Sequence, residues 1–432
     1  MHMRTFGTKR GGYSVKKILC LVLTVMLMMT SVSALAAKKV KNNYSMETEG
    51  YVVLQNVKDR KITPNEGEMD INPLIEGESP TTGMPYDTSA RYMPMLVQIS
   101  NSEATETFDG SLTFTAAEKL ARGQELTKDD AKSKKISSAG IGARAPWGGQ
   151  YADIVYEGIL YRDGATRITF LFNDILADGV EVTAGPVRSA RIGHVLLREE
   201  WGGGIAYCGG PRAEENNIAA MFAELGATDK LVAFNIETNV RPGEFNERVK
   251  GVKSPDNLSV DAYGLQTLIP ETTVATPHPF LFTDVSPYTD GYDMAYSINL
   301  DWGHKRWISH FVYDEANNLY LRYSGEAPYM TFAAANDREE DNMEQMSFSN
   351  VIIQRVEYEY VNNNRIMPSM QSVGKGNADI FIGGRYIPGY WVRESIESPT
   401  VFFDDQGNEI QLTRGKTFIG HFPPESLLTY GN

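Results

Sequence analysis

The chain has 432 residues, 42% of them hydrophobic, with 41 Lys and Arg against 55 Asp and Glu and a formal charge of −14. So acidic a balance excludes a general basic surface for nucleic acid, and it opposes anionic membrane and wall surfaces unless a local basic site is present. Of the two cysteines, Cys20 and Cys208, only the second lies outside the leader described next, which excludes an intrachain disulfide in the processed chain and leaves stability to packing.

Residues 1–36 read as a secretory signal peptide. Arg4, Lys9, Arg10, Lys16 and Lys17 precede an apolar run from Ile18 to Met29, and Ser33-Ala34-Leu35-Ala36 has the small-residue pattern of a cleavage site. Cleavage is expected after Ala36. The apolar run is short beside the about 20 residues of a membrane span. Cys20 sits inside the run, not at its end, so there is no clear lipid-acceptor cysteine. Loss of the leader takes the charge from −14 to −19, because it removes five positive residues and no negative one. About 400 residues remain, enough for two or three domains with ample core. The expected destination is the exterior or the extracytoplasmic cell envelope.

Residues 37–90 carry scattered Pro, Gly and Asn with no sustained period and read as an irregular arm. A mixed α/β domain is expected over 91–275, with "MPMLVQIS" as its first strand and an inserted segment at 102–142. In that insertion Thr115 and Glu118, then Thr127 and Asp130, offer helix starts. "YADIVYEGIL" and "TRITFLFND" are strong strands joined by a hairpin signal at Asp163-Gly164. "SARIGHVLLREEW" has helical periodicity, "GIAYCGG" reads as a short buried strand with Cys208 as core, and "RAEENNIAAMFAELGA" is a helix. "SVDAYGLQTLI" suggests a last helix whose start is marked by Ser254-Pro255. Residues 276–432 change texture. Hairpin tips at Asn317-Asn318, Gly383-Gly384 and Gly407-Asn408 imply a smaller, mostly antiparallel β domain. The fold class is α+β or mixed α/β, with the β-rich part last. Trp302, Trp307, Tyr313, Tyr320 and Tyr323 cluster there and read as sheet core.

Three blocks resemble the YerB-like family, exported bacterial proteins of unknown function that are often lipoproteins. They are "QYADIVYEGILYRDGATRITFLFND", "AGPVRSARIGHVLL" and the C-terminal run from "NNLYLRYSGEAPY" through "VGKGNADIFIGGRYIPGYWVRESIESPTVFFDDQGNEIQLTRGKTFI". "SPDNLSVDAYGL" resembles the family's Pro-His-Asn-Leu segment, with Asp256 where histidine is usual. The matches run from about residue 91 to 421 in a conserved order of blocks. The 102–142 insertion, the missing lipid-acceptor cysteine and Cys208, where the family has an aliphatic residue, are departures. The resemblance implies an α/β domain followed by a small β domain, and no catalytic residue.

The residues themselves point to "TAGPVRSARIGH". Arg188 and Arg191 stand at an electropositive helix start, where cations call for an anion. That anion is either an internal carboxylate or a ligand, since free N–H groups and guanidinium donors together suit phosphate or carboxylate. Asp153 and Glu157 share a face of their strand about 13 Å apart, too far for a glycosidase acid pair. Either could receive Arg188, Arg191 or Arg167. His194, three residues after Arg191, could join the site. The candidate ligand-binding set is therefore Arg188, Arg191, Ser189, His194, Asp153, Glu157 and Arg167. His304 and His310, read as one strand, are roughly 20 Å apart and cannot share a metal. No H-E-x-x-H, CxxC, phosphate-loop or G-x-S-x-G pattern occurs, so no metal or cofactor is expected. The leading function is a non-catalytic envelope binding or interaction protein with wall or envelope components, or an envelope protein, as partner. The rival is a wall- or glycan-acting hydrolase using Asp153, Glu157 or Asp256 with His194.

Overall fold

The computed structural model describes residues 49–62, 71–101, 145–213, 216–250, 252, 254–304, 307–325, 327–337, 343–364 and 368–432. The signal peptide, the whole 102–142 insertion with its expected helix starts, and parts of the arm lie outside these.

The described chain is mostly β. Its largest element is a ten-stranded mixed sheet, whose strands in chain order are β1 (Met95–Ser100), β2 (Ile154–Ile159), β3 (Thr166–Phe172), β4 (Gly204–Tyr207), β5 (Ala233–Asn235), β6 (Asn350–Arg355), β7 (Gly374–Ile382), β8 (Arg385–Arg393), β9 (Val401–Asp404) and β10 (Thr417–Phe422). Across the sheet the order is β9-β8-β7-β6-β10-β2-β3-β1-β4-β5. The earlier block of the chain thus supplies one contiguous half and the later block the other. They meet at a parallel seam, β10 against β2, with Phe418 opposite Val155 and His421 opposite Gly158. A single buried hydrophobic cluster extends from Met93 to Tyr430 through both halves. Several central strands are covered on both faces, which explains why they read as nearly continuous apolar runs.

The β2–β3 hairpin turns at Asp163-Gly164, where Gly164 has φ +87° and a side chain would meet the Trp302 backbone. β7 and β8 turn likewise at Gly383-Gly384. Four α-helices occur among the described residues: α1 (Asp174–Ala177), α2 (Ile192–Trp201), α3 (Ile218–Glu224) and α4 (Ala262–Thr267). All are short, so the helical weight expected of 91–275 is corrected downward. The last segment shows why. Leu258–Asp261 is a strand paired with Asn246–Arg248, and α4 begins only after its N-cap Asp261, whose carboxylate accepts the Tyr263 N–H at 3.1 Å. That is ordinary Asp capping, and Ser254-Pro255 precedes the strand instead of the helix.

A seven-stranded antiparallel sheet packs on one face of the large one. It runs Val52–Leu54, Leu428–Gly431, Ser297–His304, Trp307–Asp314, Leu319–Ser324 and Ala327–Pro328, with Ser347–Phe348 also pairing to Leu319–Ser324. Phe311 and Trp302 meet Phe418 and Phe422 of β10 at centroid distances of 4.8 Å, and both Trp302 and Tyr320 are core. His304 and His310 lie on two paired strands, not one: His304 is opposite Trp307 and His310 opposite Asn299. The arm is part of this architecture. Val52–Leu54 is an edge strand, and Arg60 binds the buried Asp379 of β7 at 2.7 Å.

The two sheets are joined by a buried ion pair. Glu157 of β2 meets Arg322 at 2.7 Å, each side chain about 1% exposed. The carboxylate also accepts from Ser309, Thr166 and Asn101 at 2.7, 2.6 and 2.8 Å. Arg322 lies 4.0 Å over the Tyr329 ring, and the Tyr329 hydroxyl donates to Asn101. Removing one partner of such a pair strands the other charge. Arg322→Met should therefore lower unfolding free energy by about 3–5 kcal/mol in urea titrations, and Glu157→Gln/Arg322→Met should recover part of the loss. A cost below about 1 kcal/mol for the single variant, the range of an exposed pair, would show that the pair is not the clamp.

Candidate functional site

β1 and β4 pair in parallel only over Met95–Val97 and Gly204–Ala206. Beyond that, the Gly185–Arg191 loop takes up both strand ends. Ser100 N donates to the Pro186 carbonyl and Arg188 N to that of Gln98, while Cys208 N and Ala190 N complete the other side through Arg188 O and Gly209 O. Gly185 is needed because a Cβ there would collide with the Trp147 indole, whose backbone is hydrogen-bonded to it. The loop thus lies where two parallel strands diverge at their carboxyl ends, a favoured place for ligands in open sheets.

Arg191 is the N-cap of α2. Its N–H donates to Nδ1 of His194 at 2.8 Å, the reciprocal half of a capping box. An imidazole nitrogen that accepts carries no proton, so neutral His194 holds its proton on Nε2 as a donor. Burial, reinforced by the positive charges of Arg167 and Arg191, holds His194 well below the usual histidine range. α2 is fixed across the seam by Arg393 of β8, which donates to the Leu196 carbonyl and pairs with Glu200 at 3.0 Å.

A cleft of about 380 Å³, counting its open mouth, lies between α2 and the helix-facing side of the sheet. Tyr156 and Gly158 of β2, Arg167 and Thr169 of β3 and His421 of β10 form its floor. Arg191, His194 and Leu197 form one wall, and Tyr358, Pro368 and Met370 of the hairpin Glu357–Tyr360/Pro368–Gln371 form the other. The Tyr358 hydroxyl bridges the seam, donating to the His421 carbonyl at 2.9 Å and accepting from Ile159 N at 3.1 Å. His421 stacks on Tyr156, and its pKa is pushed down to about 3 by burial and then by Arg393.

Among the described residues, none that lines this cleft is acidic. Arg167 is 4% exposed, and its Nε and Nη1 are buried with no acceptor. Burial, with the like charges of Arg188 and Arg191, pushes its pKa down to about 9. Arg191 Nη1 donates to Ser189 Oγ and the Ala190 carbonyl at 3.2 and 2.8 Å, but its Nε is buried without a partner. Arg188 stands beside the cleft, 3.3 Å from Asp256 in an ion pair that lacks hydrogen-bond geometry. Asp256 also accepts from Ser100 at 3.1 Å.

Of the residues expected from the sequence, Arg167, Arg191 and His194 come together in the cleft. Arg188 and Ser189 flank it. The two acids expected to line it lie elsewhere. Strand alternation turns Glu157 to the opposite face of β2, where Arg322 takes it, while its neighbours Tyr156 and Gly158 face the cleft. Asp153 accepts the Asn173 and Asp174 N–H groups at 2.7 and 3.0 Å, at the start of α1. The acids of a hydrolytic reading, Asp153, Glu157 and Asp256, are therefore engaged away from the cleft wall that carries His194. Cys208 is half-buried and packs against the edge of the core. Its thiol is pushed up by burial and then by Glu237, whose carboxylate is 3.7 Å away, the reverse of an activated nucleophile. The sequence reading missed His421, Tyr358 and Met370, which are more than 150 residues beyond Arg191 in the chain.

A second cleft, at the other end of α2, has about 440 Å³ and is lined by Glu200, Trp201, His278, Phe280 and Glu409 among others. Its acids are engaged, Glu200 by Arg393 and Thr400 N and Glu409 by Asn72. The arginine cleft, with its uncompensated charge, is the stronger candidate.

Comparison with known proteins agrees with this architecture. The domain described as "Protein of unknown function (DUF3048) N-terminal domain" matches residues 136–274, and its C-terminal counterpart matches 298–419. No curated protein matches the chain. The crystal structure of the YerB protein from Bacillus subtilis is similar, with a TM-score of 0.56 and 19% identity over 80% of this chain and 96% of that one, a likeness of fold. The two halves of the large sheet thus carry the two parts of one family, and the chain belongs to the YerB-like, DUF3048 family of proteins of unknown function.

Proposed function

We propose that this is a non-catalytic binding protein of the cell envelope, exported by its N-terminal leader, that takes a small anion in the Arg167–Arg191–His194 cleft. The observation that carries the reading is Arg167. Burying a charged group without a partner is expensive, and buried charges are ordinarily paired. Here a guanidinium is buried beside a second one, in a cleft that no carboxylate of the described residues lines. A bound anion supplies the missing charge, and the start of α2 adds the favourable end of a helix dipole.

Two results are expected. In thermal-shift and calorimetric titrations the wild type should be stabilised by oxyanions, and Arg167→Met and Arg191→Gln should abolish the response. Without ligand, Arg167→Met should be more stable than wild type by about 1 kcal/mol or more, because an unpaired buried charge is gone. A wild type indifferent to phosphate, sulfate and carboxylates, or an Arg167→Met variant that responds as wild type does, would defeat the reading.

The second result concerns pH. His194 and His421 both titrate below their ordinary value of 6.5 in the folded protein, because of burial first. Below pH 6.5 the unfolded chain binds protons that the native state refuses, so stability is full above that pH and falls as pH drops. Urea midpoints should decline between pH 7 and 5, and His421→Phe, which keeps the stack on Tyr156, should flatten the slope. Equal slopes for the two proteins would rule out His421 as a source.

A further inference from the structure

We infer that the cleft takes a soluble phosphate monoester, its dianionic head between Arg167 and Arg191 and its apolar substituent against Leu197 and Met370. The inference rests on the anion-site reading and adds the chemical class. Charge comes first. Among the described residues two guanidinium groups line the cleft and no carboxylate does; Asp256, beside it, faces Arg188 and also acts on Arg167. A carboxylate or a sulfate ester would meet one of these charges. A phosphate monoester carries −1.5 to −2 near pH 7 and three terminal oxygens.

The donors agree. Nε and Nη1 of Arg167 and Nε of Arg191 lack acceptors, and Nε2–H of neutral His194 adds a donor. That exceeds what the two oxygens of a carboxylate use, and it suits a tetrahedral head. Much of the rest of the lining is apolar, formed by Leu197, Met370 and Pro368 with the aromatic ring of Tyr358, beside the polar Thr169 and His421. A bare inorganic ion would leave this wall uncovered, whereas an apolar substituent would bury it. A soluble source is favoured over a lipid because the chain, at −14 with its leader and −19 without it, is repelled by an anionic membrane surface.

The test is isothermal titration of the full processed chain with phenyl phosphate, phenyl sulfate, benzoate and inorganic phosphate, and co-sedimentation with vesicles containing phosphatidic acid. Phenyl phosphate should bind at least ten-fold more tightly than phenyl sulfate and benzoate, which share its ring, and more tightly than inorganic phosphate. Its affinity should fall as the pH drops from 7.5 to 5 and the ester becomes a monoanion. Met370→Ala should weaken phenyl phosphate and leave inorganic phosphate unchanged. Arg167→Gln, checked for folding by circular dichroism, should abolish both.

Equal affinities for phenyl phosphate, phenyl sulfate and benzoate would overturn the dianion assignment and leave the anion site standing. Inorganic phosphate binding as well as phenyl phosphate would overturn the apolar substituent. Vesicle binding without phenyl phosphate binding would overturn the soluble source. No response to any anion would remove the anion site itself.

Discussion

The carboxylate of Glu157 is the constraint on which the rest of this molecule depends. It sits between two sheets, accepts from four donors and faces the guanidinium of Arg322 at 2.7 Å. So saturated a group fixes the rotation and height of one sheet on the other, because any slip leaves a buried charge exposed to an apolar neighbour. It also decides which side of β2 meets which layer. With Glu157 turned to the seven-stranded sheet, Tyr156 and Gly158 have to face α2, and the floor of the arginine cleft follows.

The cleft has the opposite electrostatic character. On the sandwich side, acid and base are matched within hydrogen-bond reach. On the helix side, Arg167 and Arg191 are brought together with no acid lining the space between them. The same strands therefore carry a charge-paired cluster on one face, where only Nε and Nη1 of Arg322 lack acceptors, and a cluster of like charges on the other.

Local features were legible in the sequence. The β2–β3 hairpin follows from Asp163-Gly164, α2 from its apolar period, and the arginine loop from cations at a helix start. Pairing between distant segments was not. Nothing around Ile154–Ile159 announces Thr417–Phe422 as its parallel neighbour, so His421 could not be placed against Tyr156, nor Tyr358 across both. Parity was readable for Glu157, which alternates with Tyr156 and Gly158, whereas Asp153 lies just before the strand. Which face meets the core depends on Arg322, in another sheet, and so the acids were assigned to the wrong side. Asp256 is the converse case. It stands where the family resemblance leads one to expect histidine, and its role as the counter-charge of Arg188 emerges only when the loop and residues 254–258 lie side by side.

The seam has a consequence for how the chain folds. β2 gains its second neighbour only from Thr417–Phe422, and the edge strand Val52–Leu54 gains its partner only from Leu428–Tyr430. Both pairings close loops of hundreds of residues, and non-local closures of this kind make folding slow. A nascent chain lacking its last few dozen residues has an open β2 edge, no His421 and half a cleft floor. The large sheet therefore closes only once Thr417–Phe422 has been made, and a chain cut before that strand would expose a central strand as a sticky edge.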